Sequence, residues 1–172
     1  MATTLRDAAV PVFDSMLRNL SNLLDKGAAH AAARGYDPAV LLQSRLAPDM
    51  FPLARQVQIA TDAAKFGVAR LTATEAPKFA DDETTFEQLK ARIEAARTFV
   101  NGVPAAAFEG ADTRRVEVPT RMATYAFDGR TFLLHWALPN FYFHVVTTYD
   151  ILRHNGVDVG KRDYLGPVPQ LA

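Results

Sequence analysis

Cysteine is absent from this chain, and its 172 residues include only four histidines and one tryptophan. The missing cysteine removes disulfides, thiolate metal sites, iron–sulfur clusters and thiol nucleophiles together. It is consistent with a reducing compartment, and a cytoplasmic location is expected. Net charge is also missing, because 19 Lys and Arg balance 19 Asp and Glu. No long-range field then favours nucleic acid or an anionic membrane, and neither is expected as a partner. No apolar run reaches the roughly 18–20 residues that a membrane span requires. The most apolar stretch, 132–149, is broken by His135, Pro139, Asn140 and His144. The N-terminus has no basic region followed by an apolar core, so no secretion signal is read. The glycines form no phosphate loop or dinucleotide fingerprint.

What is present is ordinary globular composition. Hydrophobic residues make up 49% of the chain, enough to argue against general disorder. The length suits one core, and residues 1–172 are read as a single domain. The first periodic segment runs from about Thr4 to Arg34, with Leu5, Ala9, Val12, Met16, Leu20 and Leu23 at helical steps. Thr4 and Asp7 suit its cap and first turn. Pro11 removes an amide donor, so the regular helix is expected to begin near it. Gly35 and Asp37-Pro38 should end it.

A second helix is expected over about 49–71, with Asp49 as N-cap and Pro52 in the first turn. The third starts at Thr84-Thr85-Phe86-Glu87, read as a capping box with Thr84 as cap, and ends at Gly102 and Pro104. Residues 105–130 change character. Val116 and Val118 alternate with polar neighbours, 124–127 alternate weakly, and Asp128-Gly129 reads as a turn, so a short hairpin is expected there. Pro119 must then sit at an end or edge, and the hairpin must lean on something larger. A fourth helical segment covers about 131–154. Pro139 either divides it or kinks it. The tail, 157–172, is expected to be mostly irregular. Strand–helix alternation is absent, and four helices with apolar faces predict an all-α four-helix bundle.

Candidate chemistry gathers on the fourth segment. Asn140, His144 and Thr148 are four residues apart and share a helix face. A polar row inside a bundle must find partners. One reading is a satisfied hydrogen-bond network around the Pro139 break. The other is a small polar pocket in which His144 is a metal ligand or a proton-transfer group. Arg55 or Gln56 of the second helix would complete either arrangement, and Asp49 is a further pocket candidate beside its capping role. His135 falls on the opposite face from His144, and His30 and His154 read as surface or helix-end residues. No HxxxH or HExxH spacing aims two imidazoles at one ion. The dense aromatic group of Trp136, Phe141, Tyr142, Phe143 and Tyr149 suggests core packing plus a homodimer surface.

Three stretches carry a family resemblance: VPVFDSMLRNLSNLLDKGAAHA, LAPDMFPLARQVQIATDAAK and HWALPNFYFHVVTTYDILRHNGVDVGKRDYLG. They resemble the uncharacterised bacterial DUF1993 family, placed with the DinB/YfiT-like helical bundles, over nearly the whole chain. The resemblance implies a four-helix bundle, frequent dimers, and in many relatives a divalent-metal site. That site takes one His from the second helix and two His four apart in the last. Here His144 stands as the second of the pair, Asn140 occupies the position of the first, and the second helix has Arg55 and Gln56 but no His. Amide oxygens are poorer zinc ligands than imidazole, so no cofactor is firmly expected. The reading is a degenerate-site homodimeric bundle. The alternatives are a metal-dependent transferase or hydrolase using His144, and a small-ligand binding module.

Overall fold

Thr4 opens the first helix. Its hydroxyl accepts from the Asp7 amide, and the Asp7 carboxylate returns to the Thr4 amide, closing a capping box. The computed structural model describes residues 3–168. Helix α1 spans Leu5–Arg34 without a break, so it starts a turn and a half before Pro11. Pro11 is exposed, and the bond it removes lies on the solvent side, where water can satisfy the carbonyl. Gly35 ends α1 in the left-handed conformation. Asp37-Pro38 then starts a short helix, α2 (Ala39–Gln43), rather than a plain loop.

Helix α3 (Leu53–Thr72) is capped by Pro52, whose missing N–H would have had no helical partner. Asp49 is not the cap. It sits exposed in the preceding turn, and the first helical amide, Leu53, bonds the Ser44 carbonyl instead. Helix α4 (Phe86–Gly102) does start with a capping box, one residue later than expected. Thr85 pairs with Gln88, and Gln88 Oε1 also accepts from the Thr84 amide. Both registers satisfy the sequence rule. The second one lets Phe86 bury against the core.

A 3-10 turn (Ala105–Phe108) leads into strands β1 (Arg115–Pro119) and β2 (Thr124–Asp128), paired antiparallel with Val116 opposite Phe127. Pro119 ends β1, where it breaks no ladder bond. Val116 and Val118 are buried. Tyr125 and Phe127 pack on Trp136 at ring separations of 5.2 and 5.6 Å, so the hairpin does lean on the bundle. Asp128-Gly129 is not a turn. Asp128 caps helix α5 (Gly129–Phe132), accepting from the Thr131 amide.

The final segment divides at Pro139, the first of the two expected solutions, with a π turn at the junction. A π-helical turn, Leu133–Ala137, joins α5 to helix α6 (Leu138–His154), which carries Pro139 in its first turn. The Leu138 amide reaches back five residues to the Leu133 carbonyl. This wider turn separates the proline ring from the carbonyls it would otherwise strike. Asn140 donates to the Trp136 carbonyl at 2.7 Å across the same junction.

The four long helices form a ring in the order α1, α4, α3, α6. Phe13 of α1 meets Phe141 of α6 edge to face at 5.0 Å in the middle. The tail is more ordered than expected. Val157 and Val159 are buried, and helix α7 (Lys161–Leu165) packs on α1. Asn19 fixes α7 by donating to the Tyr164 and Leu165 carbonyls. Residues 169–172 of the expected tail lie outside the described residues. Among those described, no helix is long and apolar enough to cross a membrane.

Candidate functional site

Antiparallel packing of α3 on α6 brings Gln56 to His144. Gln56 Oε1 lies 2.7 Å from His144 Nδ1. The Gln56 amide nitrogen donates to the Phe51 carbonyl at 3.0 Å, which orients the oxygen toward the imidazole. An oxygen can only accept, so Nδ1 carries the proton and Nε2 keeps its lone pair. Gln56 is 2% exposed. His144 is half-buried, and its Nε2 makes no hydrogen bond among the described residues. Burial pushes the His144 pKa below its ordinary value, and the positive charge of Arg55 lowers it further. The imidazole is therefore neutral at pH 7.

The other candidates fall in different places. Thr148 is buried, and its hydroxyl bonds the His144 carbonyl one turn back rather than the imidazole. Asn140 is exposed, with its amide committed to the Trp136 carbonyl. Asp49 is exposed in its turn. Arg55 points into a separate network, bonding Asp81 at 2.6 Å and Gln58 at 3.0 Å. Of the six candidates, direct side-chain contact joins Gln56 and His144. Phe143 stands edge-on to His144 at 5.2 Å and is 57% exposed, and Phe51, whose carbonyl holds the Gln56 amide, is 56% exposed.

A divalent metal of the kind the wider bundle class uses does not fit these residues. Gln56 Oε1 and His144 Nδ1 are bonded to each other, which leaves His144 Nε2 as a lone ligand where a divalent site needs several. Asn140 is turned to the backbone. Among the described residues, no three His, Cys, Asp or Glu side chains gather at a site able to hold a metal.

The strongest electrostatic feature lies elsewhere and is not apparent from any motif. Arg92 of α4 is 4% exposed, yet each of its nitrogens is partnered. Its Nε donates to Thr61 at 2.7 Å, Nη1 pairs with Asp81 at 2.6 Å and Glu83 at 3.0 Å, and Nη2 pairs with Asp62 at 2.9 Å. Gln58 ties Glu83 to the same network at 2.9 Å. A signal existed: Arg92 falls between Leu89 and Ala96, in phase with the buried stripe of α4. A charge in that phase must be paired.

An all-α bundle with a short hairpin between its third and fourth long helices defines a DinB-like helical bundle. The chain belongs to the DUF1993 family, a domain of unknown function, which it matches over residues 5–165. Its fold is close to that of a crystal structure described as a DinB family member protein from Shewanella denitrificans. The two are 48% identical, with a TM-score of 0.92 over 98% of this chain and 95% of that one. No curated protein matches.

Proposed function

We propose that this chain is a homodimeric, cytoplasmic DinB-like bundle domain whose ancestral metal position has become a hydrogen-bonded Gln56–His144 pair. The 2.7 Å contact carries this reading, because it occupies Gln56 Oε1 and His144 Nδ1 and leaves Nε2 as a single imidazole ligand, with no second one beside it among the described residues. The exposed rings of Phe51 and Phe143 support the dimer, since large apolar groups beside a polar rim favour a second copy over bulk water. Zero net charge removes long-range repulsion between copies.

Metal analysis of the untagged protein by plasma mass spectrometry tests the site. The expected result is no stoichiometric metal, in wild type and in His144→Ala alike. A stoichiometric divalent ion that His144→Ala releases with the fold intact overturns the degenerate-site reading. It would favour the second reading, a transferase or hydrolase working through His144. The unpartnered Nε2 of a neutral imidazole supports that alternative. Light scattering tests the dimer: the wild type should be dimeric and Phe143→Asp monomeric. A monomeric wild type at every concentration defeats that half of the proposal.

A further inference from the structure

A cleft of about 740 Å³ opens between the second half of α3 and the 73–81 linker. It begins at Asp62, six residues beyond Gln56 on α3 and roughly 9 Å along the axis, and neither Gln56 nor His144 lines it. Its floor holds Lys65, which is 2% exposed. The Lys65 ammonium has one ionic partner, Asp62 at 2.9 Å, and otherwise faces the Phe79 ring at 3.9 Å and the Phe66 ring at 4.8 Å. Arg70 lies on the wall with its guanidinium 5.1 Å from the Phe66 ring. Among the described residues no carboxylate pairs with it. Burial pushes its pKa down with no offsetting charge.

Charge and shape together select the ligand. The cations lining the cleft or paired with its lining are Arg55, Lys65, Arg70, Lys78 and Arg92. The carboxylates are Asp62, Glu75, Asp81 and Glu83. Asp62 and Asp81 are already held by Arg92, Lys65 and Arg55, and among the described residues neither Arg70 nor the exposed Lys78 has an ionic partner; Arg70 is the half-buried one of the two. A guanidinium presents a flat, forked pair of donors that matches a carboxylate in two bonds. A dianion would bring a second negative charge among the lining acids Asp62, Glu75 and Asp81. Phe66, Phe79, Ala69 and Pro77 supply apolar walls for a flat body.

The geometry points to this cleft as a binding site for a small aromatic monocarboxylate, with Arg70 clamping the carboxylate and Phe66 and Phe79 flanking the ring. The test is a nuclear magnetic resonance titration of the full chain with benzoate, its neutral analogue benzamide, and the cation benzylamine. Benzoate should saturate and move amide resonances within residues 62–81. Benzamide should bind at least about tenfold more weakly, the loss expected for one charge-assisted hydrogen-bonded contact. Benzylamine should not bind there. Arg70→Gln, at a half-buried position, should weaken benzoate by a similar factor, and His144→Ala should leave it unchanged. The last arm separates this site from the Gln56–His144 reading. Equal binding of benzoate and benzamide, benzoate binding undiminished in Arg70→Gln, saturable shifts outside the cleft, or no saturable binding up to the solubility limit would each overturn the proposal. If Arg70→Gln fails to fold, the benzoate–benzamide comparison on the wild type still decides it.

Discussion

Gln56 and His144, 88 positions apart in the chain, form one hydrogen-bonded unit in which each fixes the other's orientation. The Phe51 carbonyl sets the Gln56 amide, and the amide sets the imidazole tautomer.

Gln56→Ala should leave the Nδ1–H of His144 and the Phe51 carbonyl without their partner. Loss of a buried partner costs about 1–3 kcal/mol. For a chain of this length that lowers the melting temperature by about 2–4 °C per kcal/mol. Calorimetry measures it. Gln56→Glu should instead place a carboxylate on Nδ1 and raise the His144 pKa, which a proton-resonance titration reads directly.

The lowered pKa of His144 makes stability depend on pH with a definite sign. The folded imidazole resists protonation, while the unfolded one takes up a proton near its ordinary value of 6.5. The unfolded state therefore binds more protons below that pH, and stability rises with pH across this window. The stabilising contribution is complete above 6.5 and is lost as the pH falls toward the folded pKa. Melting curves between about pH 7.5 and 5.5 should fall for the wild type. The fall should be shallower for His144→Gln. Equal slopes in the two proteins would show that another group titrates.

Arg92→Ala should be among the most damaging single changes. It removes the shared counterion of Asp62, Asp81 and Glu83; Lys65 and Arg55 still hold the first two, and Glu83 is left without a cation. Breaking a buried ion pair from one side costs about 3–5 kcal/mol. Lys90→Ala, which loses an exposed ion pair to Asp25, should cost at most about 1 kcal/mol. Urea denaturation of the two variants checks the contrast.

Gly129→Ala tests how the hairpin segment meets the bundle. A Cβ at Gly129 would overlap the backbone carbonyl oxygen of Ala111 and crowd Leu71. A backbone atom cannot rotate aside as a side chain can. The cost should reach or exceed the ~1–3 kcal/mol of an overpacked core. Gly102→Ala, which meets nothing within 4 Å, should be neutral or slightly stabilising. Thermal unfolding separates the two.

Much of the local structure can be read from residue order alone. Helical spacing of Leu5 to Leu23, of Leu53 to Leu71 and of Phe86 to Val100 marks three helices. Alternation at Val116 and Val118 marks the hairpin, and the stretches around Pro139 mark the family. These signals are legible because burial of one face imposes a period on the chain. Where local rules admit two answers, contacts distant in sequence choose between them. Thr84 and Thr85 both satisfy a capping box, and burial of Phe86 selects Thr85. Pro139 permits a break or a kink, and the Leu133–Ala137 π turn resolves it by widening the helix.

The candidate site divides in the same way. The spacing of Asn140, His144 and Thr148 is a property of the sequence, and so is the absence of a second and third imidazole beside them. Their bonding is not. Asn140 and Thr148 find backbone carbonyls on their own helix segment, while His144 finds Gln56 only because α3 and α6 pack antiparallel. Arg55, one residue before Gln56, turns about 100° around the helix to Asp81 instead. The Lys65–Arg70 cleft and the Arg92 cluster likewise join α3, α4 and the linker between them. Sequence determined which polar groups the chain owns and which helical stripe each one occupies. Only the packing of the helices decided which of them meet, because burial and pairing of a charge depend on neighbours far away along the chain.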